Sequence, residues 1–236
     1  MGMASGAGKK LLWFLVGTAA VVSLPVFLFD QGKPHRTSAP KQVEVREYQG
    51  QKLGSVADFR ENSIGGVQKI GIDGWRLTLG GLVERPQTFS CNELRKKPRL
   101  KKLVTLHCVE GWKVTVLWEG IPLRDLFRIA VPKAGADTVI FSAVDGYATS
   151  IPLKDVAARD MIIADRVNGI DLPPAQGYPF ILVAEEKWGY KWIRWLSRIE
   201  LSADRDFRGT WEKMGYSQAG ERKGPLFDRP GVEGGK

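Results

Sequence analysis

An uncharged apolar stretch near the N-terminus divides this chain into two parts. Leu11–Phe29, LLWFLVGTAAVVSLPVFLF, contains nineteen residues without a charge. About twenty apolar residues let a helix span the hydrocarbon core of a bilayer, and Pro25 is better tolerated there than in a water-soluble helix. The stretch is longer than a typical signal-peptide core, and no small-residue cleavage site precedes Asp30. The sequence therefore predicts an uncleaved transmembrane anchor within residues 1–29.

Composition divides the remainder into three segments. Residues 30–57 are polar, contain two prolines and lack periodicity, which predicts a linker. Residues 217–236 are rich in glycine and charge, which predicts an extended tail that wraps the domain or stays mobile. Residues 58–216 contain the strand-like patterns and are long enough to form one domain with its own core.

The net charge of +9 and the pI near 9.6 raise the question of a nucleic-acid partner. The basic residues are scattered among acidic ones, and no nucleic-acid-binding motif is present. We therefore exclude nucleic acid as a partner. A mixed solvated surface and a basic face for an anionic cofactor or an acidic redox partner both remain open.

Alternating and β-rich runs predict a mostly β domain of the α+β class. WRLTLGGLV places Trp75, Leu77 and Leu79 on one face, as a half-buried strand does. Six further runs have strand composition: LVTLHCV, WKVTVLW, TVIFSAV, YATSIPL, FILVAEE and RIELS. Helices are few and short. One is predicted from Pro122 until Pro132 stops it, and LKDVAARD is another candidate.

The chain has two cysteines, Cys91 and Cys108, and only two histidines. The cysteines could form a disulfide in an oxidising compartment, or Cys108 could be a buried small hydrophobic residue. Their spacing matches no metal-ligand pattern, and two histidines exclude a His-rich metal site. The adjacent His107 points to the opposite face of a strand from Cys108, so a Cys–His hydrolase is weakly supported.

Five stretches between Asn62 and Tyr216 resemble one family, in the same order along the chain. HCVEGWKVTVLWEGIPLRDLF, around Cys108, is similar to the cysteine motif of the molybdopterin-binding domain of the sulfite oxidase superfamily. The other four are ENSIGGVQKIGIDGWRLTLGGLVERPQTFSCNEL, DGYATSIPLKD, NGIDLPPAQGYPFILVAEEKWGYKWIRWLSRIEL and GTWEKMGY. The resemblance is strongest to bacterial catalytic subunits of the methionine-sulfoxide reductase type and to their single-domain relatives.

The resemblance implies one molybdenum-molybdopterin cofactor and a single protein ligand to the metal. Cys108 matches that ligand and would also be the catalytic residue, because a thiolate is a soft ligand suited to such a metal. Lys191 and Arg194 match the family's phosphate-contacting pair. The positions that match cofactor-binding residues are Asn62, Ser63, Cys108, Gln176, Lys191, Trp192 and Arg194.

One position departs from the family pattern. Ile181 stands where the family has an arginine, which removes one donor to the cofactor phosphate. Lys191 and Arg194 would then have to bind the phosphate without it. Ile181 therefore keeps a second hypothesis open, a cofactor-free, membrane-tethered interaction module that retains the fold.

The resemblance implies an oxidoreductase that transfers an oxygen atom to or from a small or protein-borne sulfur substrate. The sequence contains no CxxCH haem motif and no cluster-ligating cysteines. Electrons would therefore be exchanged with a separate partner, a quinone-linked membrane protein or a cytochrome.

The location of the domain is the point on which the signals conflict. Lys9 and Lys10 precede the predicted anchor, and four basic residues follow it at 33, 36, 41 and 46. The positive-inside rule thus leans towards the cytoplasm, and no twin-arginine signal is present. Relatives with an N-terminal apolar segment mostly work outside the inner membrane. We expect a single-pass membrane protein with an extracytoplasmic, periplasmic domain, and the cytoplasmic face remains the alternative.

Overall fold

The structure is a computed structural model that describes residues 42–228, and most of its regular structure is β. Twelve strands lie in this range: β1 Glu47–Tyr48, β2 Gln51–Lys52, β3 Arg76–Gly81, β4 Gln87–Ser90, β5 Leu100–His107, β6 Lys113–Pro122, β7 Thr138–Ala143, β8 Ala148–Pro152, β9 Ile162–Val167, β10 Ile170–Asp171, β11 Ile181–Val183 and β12 Leu196–Ser202. Three helices accompany them: α1 Cys91–Arg95, α2 Leu123–Ala130 and α3 Leu153–Ala158. The predicted class, mostly β with few short helices, is confirmed.

The strands form two five-stranded sheets and one small hairpin. The first sheet has the order β10-β9-β6-β5, and β11 also pairs with β9. The second has the order β4-β3-β12-β7-β8. Its β3–β12 pair is parallel, whereas its other pairs are antiparallel. The hairpin pairs β1 with β2.

Alternation of apolar residues explains the strands of the core. Leu77 and Leu79 of β3 are fully buried, as is the preceding Trp75, while Arg76 between them faces solvent. β9 was not among the predicted strands. Its apolar residues are interrupted by the acidic Asp165, which is buried in an ion pair with Arg99. Because of this acidic residue, the sequence does not show the continuous apolar pattern of a strand that is covered on both faces.

The helices begin and end at residues that the sequence marks. Ser90 caps α1 and forms a capping box with Glu93. α2 starts directly after Pro122 and ends before Val131, which has φ 57°, and Pro132 follows. The helix predicted from Pro122 is therefore confirmed, although Pro122 is its N-cap and not its first residue, and α3 confirms the one predicted within LKDVAARD.

Both segments that flank the predicted domain contain ordered contacts. Residues 42–57 include the β1–β2 hairpin, and Glu44 accepts hydrogen bonds from Ser55, from the Val56 amide and from Asn168. Residues 217–228 lie along the domain, where Glu221 bridges to Lys187. The domain boundaries at 58 and 216 stay predictions.

The predicted membrane anchor, Leu11–Phe29, lies outside the described residues. Within residues 42–228, no helix is both long and apolar enough to cross a membrane.

Candidate active site

One cleft brings together most of the predicted site residues. It encloses about 930 Å³, including its open mouth. Its walls come from the irregular segment after Asp58, from the turn between β5 and β6, and from the segment between β11 and β12. Six of the seven predicted site residues line it, all except Lys191: Asn62, Ser63, Cys108, Gln176, Trp192 and Arg194.

Cys108 lies in the turn that joins β5 to β6. Its amide donates to the Trp112 carbonyl at 2.9 Å, and its carbonyl accepts from the Gly111 amide at 3.1 Å, which closes the turn. The thiol is free and only 7% of the residue is exposed. Burial raises the pKa of the Cys108 thiol, although a hydrogen bond from the Glu110 amide opposes the shift. The thiolate therefore requires compensation by a cation or a metal.

The other cysteine has a different environment. Cys91 is the first residue of α1, is buried in the core and has a free thiol. Burial raises the pKa of this thiol as well. Because both thiols are free, the disulfide alternative is not found in this structure. Only Cys108 lines the cleft.

Asn62 and Ser63 face Cys108 from the irregular segment. The Asn62 amide donates from Nδ2 to the Cys108 sulfur at 3.6 Å. The Ser63 hydroxyl is buried and has no hydrogen-bond partner within the described range. A buried hydroxyl without a partner costs free energy, so its place in the cleft wall fits a bound polar ligand.

Arg194 supplies a positive charge to the cleft. Its guanidinium donates to the Glu61 carboxylate at 2.9 Å, to the Ala175 carbonyl at 3.1 Å and to Asn62 Oδ1 at 3.1 Å. Burial acts to raise the pKa of Glu61, but a hydrogen bond from the Ser63 amide and the charge of Arg194 outweigh it and hold that pKa below its usual value. The ion pair therefore stays charged at neutral pH.

Lys191 is not brought to the cleft. Its side chain is fully buried, and its ammonium donates to the Glu212 carboxylate at 2.5 Å and to the Ser150 carbonyl at 2.9 Å. Glu212 also accepts a hydrogen bond from Thr149. Burial lowers the pKa of Lys191, and the charge of Glu212 opposes this shift. In this conformation Lys191 does not line the cleft.

Gln176 and Trp192 line the wall in different ways. Gln176 makes one long hydrogen bond, at 3.4 Å, to the Val56 carbonyl. Trp192 is almost fully buried and packs against Trp118, with ring centroids 5.6 Å apart. Phe59 in turn contacts the edge of Trp118. These aromatic contacts support the wall behind Cys108.

Among the lining residues that sequence reasoning did not assign to the site are Arg60, Asp145, Tyr147 and Trp211. Two of them lie in the motif stretch DGYATSIPLKD, which was used for the resemblance but not for the site. The Tyr147 hydroxyl donates to the Tyr190 carbonyl at 2.7 Å, and burial raises its pKa. Tyr147 is therefore a neutral, fixed part of the wall.

The side chains that line the cleft suit a cofactor that supplies most of the metal's ligands itself. Within residues 42–228, no group of three or more His, Cys, Asp or Glu side chains could hold a metal ion. The cleft instead offers one thiol, the guanidinium groups of Arg60 and Arg194, and the buried Ser63 hydroxyl. A cofactor with sulfur ligands and a phosphate of its own fits that set.

Comparison with known proteins identifies the family. A sequence model of the oxidoreductase molybdopterin binding domain matches residues 64–211. The uncharacterized oxidoreductase YuiH of Bacillus subtilis (strain 168) is 32% identical over 148 residues, which are 62% of this chain and 74% of YuiH. The protein-methionine-sulfoxide reductase catalytic subunit MsrP of Gluconobacter oxydans (strain 621H) is 28% identical over 176 residues, 66% of this chain and 56% of MsrP. The chain thus spans little more than half the length of that second relative.

A solved structure shares the fold. The sulfane dehydrogenase SoxCD of Paracoccus pantotrophus aligns with a TM-score of 0.58 and 22% identity, covering 64% of this chain and 42% of that one. At that identity the likeness concerns the fold alone. The family model, by contrast, matches more than half of the chain and confirms the resemblance seen in the five motif stretches. The chain therefore belongs to the family of the oxidoreductase molybdopterin binding domain, within the sulfite oxidase superfamily.

Proposed function

We propose that this chain binds one molybdenum-molybdopterin through Cys108 and catalyses oxygen-atom transfer to or from a sulfur substrate. One observation carries the proposal: the Cys108 sulfur and the Arg194 guanidinium face one cleft and are joined through Asn62. A soft metal ligand and a phosphate-binding cation thus stand at two parts of the same site. The bound cofactor would supply the redox chemistry, with oxygen transfer coupled to a two-electron change at the metal.

The side chains of the cleft bind and orient. Cys108 gives up its proton when the metal binds, because only the thiolate is a ligand. Arg194 offers guanidinium N–H groups to the phosphate. Ser63, Gln176 and Trp192, which line the same cleft, would contact the remainder of the cofactor. Lys191 has no such contact in this proposal, since Glu212 and the Ser150 carbonyl hold its ammonium.

We propose reduction of a sulfoxide as the physiological direction. In that direction R₂SO takes two electrons and two protons and gives R₂S and water. The relatives named protein-methionine-sulfoxide reductase catalytic subunits support this direction. Because they are catalytic subunits, they also support a separate partner that delivers the electrons. We propose that this partner is a quinone-linked membrane protein or a cytochrome. Reaction rates decide between the possible substrates. Dimethyl sulfoxide and oxidised protein are tested with an artificial electron donor, and sulfite is tested with an artificial electron acceptor.

The experiment that tests the metal assignment compares the two cysteines. Cys108→Ser is expected to lower bound molybdenum per protein by more than about tenfold and to remove the sulfur-to-metal charge-transfer absorption. Cys91→Ser is the matched control, because that thiol is also buried but lies outside the cleft. Loss of the absorption in Cys91→Ser alone would refute the assignment of Cys108.

A wild-type chain without molybdenum or pterin would favour the cofactor-free interaction module instead. The observation behind that alternative is Ile181, a buried residue that lines the cleft where the family has an arginine. Metal and pterin analysis of the purified full-length protein separates the two functions.

We further propose that residues 11–29 anchor the chain in a membrane and that the domain lies on the periplasmic side. The support is the length and apolarity of that stretch. A reporter that is active on only one side of the membrane, fused after Lys236, tests the orientation. Activity of a cytoplasm-only reporter would reverse it.

A further inference from the structure

The side chain of Asn62 contacts both functional parts of the cleft. Its Oδ1 accepts a hydrogen bond from Arg194 Nη2 at 3.1 Å. Its Nδ2 lies 3.6 Å from the Cys108 sulfur. One amide group therefore connects the cation proposed for the phosphate with the thiol proposed for the metal.

The chemistry of Arg194 decides which end of this amide faces the sulfur. A guanidinium has N–H donors and no acceptor, so the amide oxygen of Asn62 must point towards it. The NH₂ group is then left to point at Cys108, where it donates to the sulfur. Without such a fixed neighbour, the two orientations of an amide are hard to distinguish.

Arg194 is itself held firmly enough to impose that orientation. Glu61 and the Ala175 carbonyl both accept from Nη1. The guanidinium also lies over the Trp195 ring, 4.9 Å from its centroid. At the backbone, a Cβ on Gly177 would come within 2.9 Å of the Arg194 Cα, so the two segments are in close contact.

We propose that Asn62 is a positioning residue through which Arg194 directs an N–H···S hydrogen bond to the metal-binding sulfur of Cys108. The phosphate part and the metal part of the site are thereby coupled through the protein as well as through the cofactor. Hydrogen bonds to a ligating sulfur tune the metal it holds. The metal side of this inference rests on the proposed function, whereas the coupling itself belongs to the chain.

Asn62→Asp tests the hydrogen bond to sulfur. The aspartate keeps an oxygen for Arg194 but places a second acceptor, not a donor, against Cys108. We expect the sulfur-to-metal charge-transfer band to shift and bound molybdenum to fall by about tenfold. Asn62→Leu removes the donor without adding charge and should shift the band too. If both variants keep the wild-type band, the proposal is wrong.

Gln176→Glu is the matched control for the added charge. Gln176 is another amide in the same cleft wall, and its one hydrogen bond, to the Val56 carbonyl, involves neither Cys108 nor Arg194. This variant measures what a new carboxylate in the cleft does to the band without a contact to Cys108 or Arg194. A shift as large as that of Asn62→Asp would overturn the proposal.

Substitutions of Arg194 test the coupling. In Arg194→Lys the new side chain still donates hydrogen bonds and cannot accept them. It should preserve the orientation of Asn62, and the molybdenum that remains bound should keep the wild-type charge-transfer band. Arg194→Gln can donate or accept, so it should release the orientation and shift the band in the direction seen with Asn62→Leu. An unshifted band in Arg194→Gln would disprove the coupling.

NMR of the metal-free chain gives a readout that does not need the cofactor. The two side-chain amide protons of Asn62 should move in Arg194→Gln, and one of them should move in Cys108→Ala. Absence of both changes overturns the proposal. If both changes occur but the wild-type protein contains no molybdenum, the coupling stands and the proposed function fails.

Discussion

Two basic side chains three positions apart, Lys191 and Arg194, have opposite environments. Lys191 is fully buried against Glu212 and the Ser150 carbonyl. Arg194 is 20% exposed, lines the cleft and pairs with the partly exposed Glu61. One cation is part of the interior, and the other is available to a ligand.

The backbone between them explains the difference. Lys191 ends a 3-10 turn, and Trp192 continues in an extended conformation, with φ −91° and ψ 105°. In extended chain, side chains two positions apart point to the same side, and Trp192 and Arg194 both line the cleft. Lys191, at the end of the turn, is directed into the interior instead. Basic character alone does not show that a residue can bind a ligand. The direction in which its side chain points decides whether it reaches the cleft.

Each cation also has a glycine packed against it. A Cβ on Gly220 would come within 2.6 Å of the Lys191 Cε, and one on Gly177 would come within 2.9 Å of the Arg194 Cα. Gly220 belongs to the segment 217–228, which covers the buried lysine. The interior around Lys191 thus depends on that C-terminal segment, while the position of Arg194 depends on the loop before β11.

The largest expected effect is on stability and separates the two cations. Lys191→Met leaves the buried Glu212 carboxylate without its partner, which should lower the free energy of unfolding by about 3–5 kcal/mol. Adding Glu212→Gln should recover part of that loss. Arg194→Gln breaks a partly exposed pair and should cost less than about 1 kcal/mol. Urea unfolding of the three variants measures these values, and equal losses for both cations would contradict the comparison.

The effect on cofactor retention should be larger for Arg194 than for Lys191, which is the reverse of their effects on stability. A charged hydrogen bond to a phosphate is worth roughly 1.5–3 kcal/mol, so Arg194→Gln should release pterin faster during dialysis. Ile181→Arg, which returns a cation to the cleft wall, should slow the release. Pterin per folded protein is the measurement. A Lys191 variant that loses as much pterin at equal folded fraction would show that the buried lysine also contacts the cofactor.

The predictable parts of the molecule are those where local sequence and environment agree. The alternation of Trp75, Leu77 and Leu79 predicts β3 because one face of that strand is buried. Pro122 predicts the start of α2 because its fixed φ suits the entry to a helix, and the structure has it as the last residue of β6 and the N-cap of α2. Cys108 was singled out by its motif, and the structure places it in the cleft.

The remaining features depend on contacts between distant segments. Lys187 is buried because Asp155 and Glu221, 32 and 34 positions away, accept from its ammonium. Lys191 is buried in the same way by Glu212. The alternation of side chains along a segment does not show which distant carboxylate covers it, so a lysine in a strand-like run is expected at the surface.

The glycines that pack against the two cations, Gly177 and Gly220, allow a test of the same difference with a smaller expected effect. Gly177 and Gly220 have φ +110° and +60°, and a left-handed conformation costs about 1–2 kcal/mol for a residue with a Cβ. Gly220→Ala should destabilise the protein by at least that amount, because its Cβ must also displace the Lys191 stem. Gly177→Ala should also lower pterin retention, because it moves Arg194. Urea unfolding and pterin analysis of both variants test this, and a retention defect in Gly220→Ala alone would reverse the assignment.

The smallest expected effect is a pH dependence of the segment that covers Lys191. Asp228 accepts hydrogen bonds from the Gln218 amide and from Arg208, both at 3.0 Å. Burial acts to raise the pKa of Asp228, but these contacts outweigh it and hold the pKa below its usual value. The folded state therefore binds this proton less readily than the unfolded state does.

The sign of the effect follows from that difference. The stabilisation by Asp228 is complete above the ordinary aspartate pKa of about 3.9 and is lost as the pH falls through the lower pKa of the folded state. Because the side chain is 29% exposed, the loss should stay below about 1 kcal/mol. Asp228→Asn should reduce the loss of unfolding free energy at acidic pH, as measured by urea unfolding between pH 6 and 3.

Glu61→Gln is the matched variant beside Arg194, since the pKa of Glu61 is also lowered. If the Asp228 variant keeps the wild-type slope while the Glu61 variant loses it, the acid sensitivity lies at the cleft and not in the segment over Lys191.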